Sequence, residues 1–208
     1  MMIIRPRSLR SGLGLAVLLW IGAAAGAALS PDALVRETAD RALARMTAER
    51  ETFKADLNKL YRMVDEIVLP HFDFERMAQL VLGRHWRDAA PEQRTRFTAE
   101  FKQLLVRTYA TALFDYTGQK INYKPLHAGA ADTDVVVKTE IETGTGPAVP
   151  MHFAMWKNGA GEWKVFDVRI DGVSLVTNYR HSYTKTIQTE GLDVLIGQLA
   201  SKNSTGAK

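Results

Sequence analysis

The spacing of apolar residues changes twice along this chain, and that constrains the fold more than any other feature. From Pro31 to Leu113 apolar residues recur every three or four positions, the period of a helix that buries one face. Leu34, Val35, Thr38, Ala42, Met46 and Phe53 make one such face, and Leu57, Leu60, Tyr61, Val64, Ile67 and Val68 a second. Between Gln119 and Ile170 the interval falls to two, as in strands with one face buried and one in water. After Ser174 the helical interval returns. Helices, then a run of strands, then helices is the order of an α+β fold.

Local signals sharpen the boundaries. Ser30-Pro31 pairs a cap residue with proline at the first helical position, and Pro70 stops the second face. Asp73 predicts an N-cap for a short helix that Gly83 ends. Pro91 opens the longest helix, whose stripe is Phe97, Phe101, Leu104, Leu105, Thr108, Tyr109 and Leu113. Four strands are expected over 119–126, 133–143, 149–157 and 162–170, divided by glycine-rich turns. Their short connections predict a mostly antiparallel sheet. Val135, Val137 and Ile141 alternate with Lys138, Glu140 and Glu142. Met151, Phe153 and Met155 alternate with His152, Ala154 and Trp156, and Phe166, Val168 and Ile170 with Lys164, Asp167 and Arg169. The expected architecture is a curved four-stranded sheet with helices packed on its apolar face. Helices over 174–188 and 192–200 follow, then a polar, frayed tail over 201–208. Residues 29–208 read as one domain: a helical lobe at 31–116, the sheet at 119–170 and C-terminal helices at 174–200.

Residues 1–28 read as a cleaved secretory leader. Arg5, Arg7 and Arg10 precede an apolar run from Leu13 to Ile21, and small residues at 25–28 offer the cleavage site. The run is short for a membrane span, and the chain has no cysteine to acylate. The leader holds three arginines and no acid, so the remainder carries 24 basic and 23 acidic residues, a net +1. That removes the basic footprint that nucleic-acid binding needs. With no cysteine, an exported domain of this kind is held by its core and not by disulfides.

Enzyme signatures are missing. Gly172-Val173-Ser174 lacks the second glycine of a nucleophile elbow, and the five histidines never fall at paired helical spacing. His71 and Asp73 suggest a metal pair only weakly; a loop histidine beside a helix cap is the simpler reading. One enzyme alternative stays open: an isomerase-like site in an apolar cavity, using Asp115 as base and Tyr116, Tyr109 or Tyr123 as donor.

Two stretches carry a family resemblance. Trp163 to Arg180, WKVFDVRIDGVSLVTNYR, is a strand that turns at Asp171-Gly172 into a helix capped by Ser174. His71 to Leu113 holds Phe72-Asp73-Phe74, Leu82-Gly83, Trp86, Pro91-Glu92-Gln93 and Leu104 to Tyr109. Together they resemble the MlaC family, the periplasmic phospholipid-binding or toluene-tolerance proteins, over about 32–199. One departure is Ala90, where the pattern expects Ser or Thr.

The resemblance implies an NTF2-like or cystatin-like cone with an extra helical lobe and an internal apolar cavity. It implies a carrier and not an enzyme, with phospholipid as cargo and no cofactor or metal. The carrier would shuttle glycerophospholipid in the periplasm of a Gram-negative cell, between an outer-membrane lipoprotein–porin complex and an inner-membrane ABC transporter complex, and so maintain outer-membrane lipid asymmetry. Periodicity alone does not distinguish a lined cavity from a filled core. Given the cavity, the expected tail-contacting residues are Val64, Val68, Phe97, Phe101, Leu105 and Tyr109 on the helices. On the sheet they are Val137, Phe153, Met155, Phe166 and Val168. Met63, Met77, Met151 and Met155 suit tails of varied shape. Val173, Leu175 and Tyr179 are expected to lock the last strand to its helix; Arg180 is expected to pair with an acid or, as the alternative, to bind a headgroup.

Overall fold

Pro31 at the first helical position starts α1 (Pro31–Ala48), and the chain continues through α2 (Arg50–Ala55) and α3 (Leu57–Ile67). The computed structural model describes residues 29–129, 131–143 and 146–205; the leader expected at 1–28 lies outside them. The face from Leu34 to Phe53 is divided between two helices, because Glu49 (φ −112°, ψ 18°) leaves the helical well. Asp56 caps α3 by accepting from the Asn58 N–H at 2.9 Å. Leu60, Met63, Val64 and Ile67 are its buried stripe. A 3₁₀ turn, Leu69–His71, absorbs Pro70.

Asp73 accepts from the Arg76 N–H at 2.9 Å and starts α4 (Phe74–Leu82). Its second oxygen accepts from the Trp156 indole N–H at 3.0 Å, so one oxygen serves as cap and the other as anchor. Gly83 ends α4 at φ 55°. A single turn, α5 (His85–Asp88), leads to α6 (Pro91–Tyr109), which runs on as a 3₁₀ segment, Ala110–Asp115. Ala90 has the extended backbone of an N-cap but no side-chain acceptor. Half of a capping box survives, with Gln93 Oε1 accepting from the Ala90 N–H at 3.0 Å.

The sheet is an open antiparallel meander of five strands, β1 (Ile121–Tyr123), β2 (Asp134–Ile141), β3 (Val149–Lys157), β4 (Trp163–Ile170) and β5 (Val173–Ser174). The expected four-strand count is short by one. Asp171 (φ 49°) and Gly172 (φ 80°) both lie in the left-handed region, as a type I′ hairpin turn requires. They return the chain into β5, which is too short for any alternation to announce. β4 also carries a bulge. Phe153 faces Val168 and Ala154 faces Asp167, but Met155 faces Val165, leaving Phe166 unpaired. The bulge reverses the alternation, so Val165 joins Val168 and Ile170 on the inner face and Phe166 does not.

Asp167, buried at the bulge, accepts from Ser174 Oγ at 2.6 Å and from the Val176 N–H at 3.1 Å. Ser174 Oγ in turn accepts from the Thr177 N–H. Two side chains thus fix the start of α7 (Leu175–Glu190), which ends at Gly191. Arg180 is structural: its Nε donates to the Leu80 carbonyl at 2.6 Å, tying α7 to α4. α8 (Leu192–Thr205) runs further than expected, so Ser201–Thr205 is helix and not frayed tail. The reason is Asn203, which is buried and donates to the Glu100 carbonyl and carboxylate on α6.

The core forms three clusters. One joins α4 through α8 around Met77, Phe97, Phe101, Val176 and Ile196. A second joins α1, α2 and α3 to the end of α6 around Met46, Phe53, Leu60 and Val106. The third is the inner face of the sheet, with Val35 and Leu175 against Val137, Met155, Val165 and Val168.

Candidate functional site

The second and third clusters face each other across a cavity of about 750 Å³. Helix α1 contributes Leu34, Val35, Thr38, Ala39, Ala42 and Leu43 to its wall. Val64 and Val68 on or beside α3, with Leu105, Val106 and Tyr109 on α6, continue it. The opposite wall is the inner face of the sheet: Ile121, Ile141, Met151, Phe153, Met155, Val165, Val168 and Ile170. Phe72 and Met77 lie with them, toward the side of α4.

Polar atoms on the wall are few, and several are already satisfied. Thr139 is buried in β2, and its hydroxyl donates to the Met151 carbonyl at 2.7 Å. His71 is held below its ordinary pKa, first by burial and then by the charges of Lys164 and Arg41, so at neutral pH it faces the cavity uncharged. The Tyr123 hydroxyl is buried without a partner, and burial raises its pKa, while the Arg36 guanidinium lies 3.9 Å from its ring centre. A wall of this kind cannot stabilise a buried charge but suits hydrocarbon.

The cavity reaches water at one end. Ala112, Asp115, Glu142 and Thr143 line it there and are exposed. Arg50 braces this rim by donating to the carbonyls of Phe114 and Tyr116, which satisfies acceptors left at the end of the 3₁₀ segment. Asp115, Tyr116, Tyr109 and Tyr123 all border the cavity, so the residues of the isomerase alternative share one space. They form no acid–base pair. Asp115 is exposed on the rim, and it is its carbonyl, not its carboxylate, that accepts a hydrogen bond, from Gln119.

Of the residues singled out from sequence, Val64, Val68, Leu105, Tyr109, Phe153, Met155 and Val168 line the cavity. Four do not. Phe97 and Phe101 stack on each other at 5.7 Å and meet Tyr183 and Tyr179 edge-on. They belong to the solid cluster between α6 and α7, because their turn of α6 faces α7 and α8 and not the sheet. Val137 is fully buried among Val35, Met155 and Leu175 and is not on the wall. Phe166 is displaced by the bulge and lies under the Arg76 guanidinium, 4.7 Å from it. Of the methionines, Met77, Met151 and Met155 line the cavity and Met63 packs in the helical core. Leu175 lines the cavity and Tyr179 packs on Phe101, but Val173 is 55% exposed and locks nothing. Sequence reasoning passed over α1. Its stripe of Leu34, Val35, Thr38 and Ala42 was visible, yet nothing in the spacing says that it roofs a cavity.

Residues 36–201 match the family model of the MlaC protein. The chain belongs to the MlaC family. It is 28% identical over 177 residues to the intermembrane phospholipid transport system binding protein MlaC of Haemophilus influenzae, covering 84% of this chain and 83% of that one. It is 28% identical over 169 residues to the toluene tolerance protein ttg2D of Pseudomonas putida, covering 81% and 78%. The structure superimposes with a TM-score of 0.79 on a phospholipid-binding protein from Ralstonia solanacearum solved in complex with a phospholipid. The two are 34% identical, and the match spans 86% of this chain and all of the other. For an MlaC family member, the cavity between α1 and the sheet is the feature to explain.

Proposed function

We propose that this chain is a periplasmic phospholipid carrier, exported by the leader at 1–28, that sequesters acyl tails between α1, α3, α6 and the inner face of the sheet. The observation that carries this is the apolar cavity of about 750 Å³ with its charged groups confined to the rim. A methylene fills roughly the space of a liquid water molecule, ~30 Å³. The cavity therefore accommodates on the order of 25 methylenes, most of the ~30 in two acyl chains. Hiding each methylene is worth ~0.8 kcal/mol, so exposing both tails would cost on the order of 20 kcal/mol. Tails go inside. The headgroup stays at the rim by Asp115, Gln119 and Glu142, where charge meets water.

Nothing in this task needs bond breaking, and no enzyme activity is assigned. The phospholipid is cargo, and the reading requires no cofactor or metal. Release needs a partner that offers a continuous apolar path, since a tail leaving through water meets the full cost above. The partners we propose are an outer-membrane lipoprotein–porin complex and an inner-membrane ABC transporter complex, with outer-membrane lipid asymmetry as the outcome. The similar proteins named for intermembrane transport and phospholipid binding support this reading.

The direct test is extraction. Mature protein purified without detergent is extracted with organic solvent and the extract analysed by mass spectrometry. Near-stoichiometric diacyl phospholipid is expected. Repeated preparations with none would overturn the carrier reading.

A further inference from the structure

Helix α1 is firmly fixed at one end only. Toward its C-terminus Ala42 and Met46 are buried in the second cluster, and Arg45 pairs with Glu66 of α3 at 2.8 Å. Glu49 then breaks the helix, and such an element end is where a hinge absorbs rotation. Toward the N-terminus the ties run out. Among the described residues, no hydrogen bond or ion pair joins 31–44 to another element. Leu34 and Val35 pack on the third cluster, while Thr38, Ala39 and Leu43 border the cavity. The stretch 31–41 is about three turns long, ~16 Å.

This free end lies along the open edge of the sheet. β1 is the edge strand, and it starts at the mouth of the cavity, where the Glu142 N–H donates to the Lys120 carbonyl at 3.0 Å. Ile121 lines the cavity there, and Tyr123 lines it ~7 Å further along the strand. The Arg36 guanidinium sits over the Tyr123 ring, 3.9 Å from its centre, an attraction that holds α1 to β1. The same closure leaves the Tyr123 hydroxyl buried with no partner. A buried unpaired donor favours any arrangement that gives it water. Attraction and penalty fall on one residue, so the seam closes without locking.

We propose that 31–41 of α1 is a door that swings about the anchored end of its helix and opens the seam with β1 from the mouth inward. Leu34 and Val35 are the packing it gives up on opening. Acyl tails complete the packing of its inner face, so the door is held when the cavity is full and loosened when it is empty. Drawn out lengthwise through a fixed mouth, a tail meets water one methylene after another. Leaving side-on, it exchanges the α1 wall for a partner's apolar surface along its whole length.

The door rests on the carrier reading, and the test separates the two. The chain has no cysteine, so Arg36→Cys/Tyr123→Cys places one pair of thiols across the seam. The folded, lipid-loaded variant is either joined by a short bismaleimide or capped on both thiols with N-ethylmaleimide, and melting temperature confirms that both forms are folded. Exchange of the bound lipid for radiolabelled phosphatidylethanolamine in mixed micelles is then timed. The joined form should exchange about tenfold or more slowly than the capped form. Equal rates overturn the proposal, since the tails then pass with the seam shut. Backbone deuterium exchange on wild-type protein, loaded and stripped of lipid, gives the second readout. Protection over 31–41 should fall by about tenfold or more on stripping, with α6 and α8 keeping theirs. Unchanged protection over 31–41 overturns the proposal. Tyr123→Phe keeps the ring under Arg36 and removes the unpaired hydroxyl, so its lipid should exchange more slowly than the wild type's; an equal or higher rate overturns the part given to that hydroxyl. Wild-type protein that neither carries nor takes up phospholipid fails the carrier reading before any link is made, and overturns the door with it.

Discussion

Phe101 and Tyr109 stand eight residues apart on α6, and their surroundings have little in common. Phe101 is fully buried against Phe97, Tyr179 and Tyr183. Tyr109 borders the cavity and touches the edges of two clusters. One apolar stripe thus serves a solid core at its start and a cavity wall at its end. The stripe was legible in the sequence, and the division was not, because both environments demand the same side chains. Phe101→Ala should therefore cost about 3–5 kcal/mol of stability, measured by urea unfolding, while folded protein keeps its lipid. A lipid loss without that destabilisation would return Phe101 to the cavity. Asp115→Asn tests the enzyme alternative. Moving a lipid needs no general base, so transfer between donor and acceptor vesicles should proceed at the wild-type rate; a collapse of transfer with the fold intact would revive proton-transfer chemistry.

The helices were read from punctuation as much as from period. Asp73, Gly83, Pro91, Ser174 and Gly191 all stand at helix boundaries in the structure. Each signals its role through its own backbone or hydrogen-bonding chemistry. The errors lie where that chemistry is absent. The bulge at Phe166 has no glycine to mark it, so the expected alternation sets Phe166 on the apolar face with Val168 and Ile170, where the structure has Val165 instead. The end of α8 depends on Asn203 reaching Glu100, 103 positions away, which no local rule sees. Ala90 yields a prediction at this scale. Its backbone already has N-cap geometry, and Gln93 already reaches back to it, so only the acceptor on the cap is missing. Ala90→Ser should stabilise the domain by about 0.5–1 kcal/mol, seen as a higher denaturation midpoint at unchanged slope. No gain would mean that the existing half box already satisfies this end.

At the scale of the whole molecule, α4 through α8 make a filled core, while α1 meets the sheet at Val35 and the rest of α1, with α3, stands across a cavity from it. The α+β order was readable from the two changes of period. The cavity was not, because it is a property of how far apart two apolar faces are held, and spacing along a chain carries no such distance. The resemblance to MlaC proteins supplied that expectation. Phe153 lies on the sheet side of this space, so Phe153→Arg should leave an unpaired charge among the tails and abolish loading, read as loss of phospholipid from purified protein. Loading at the wild-type level would mean that the tails run elsewhere. The measurement that tests the account most directly is photo-crosslinking with a phospholipid bearing a diazirine at the acyl terminus, mapped by peptide mass spectrometry. The account predicts label on α1 and on the inner face of β3 and β4, at residues such as Val35, Phe153, Met155 and Val168. Label concentrated on the Phe97–Phe101 turn, or on the outer face of the sheet, would contradict it.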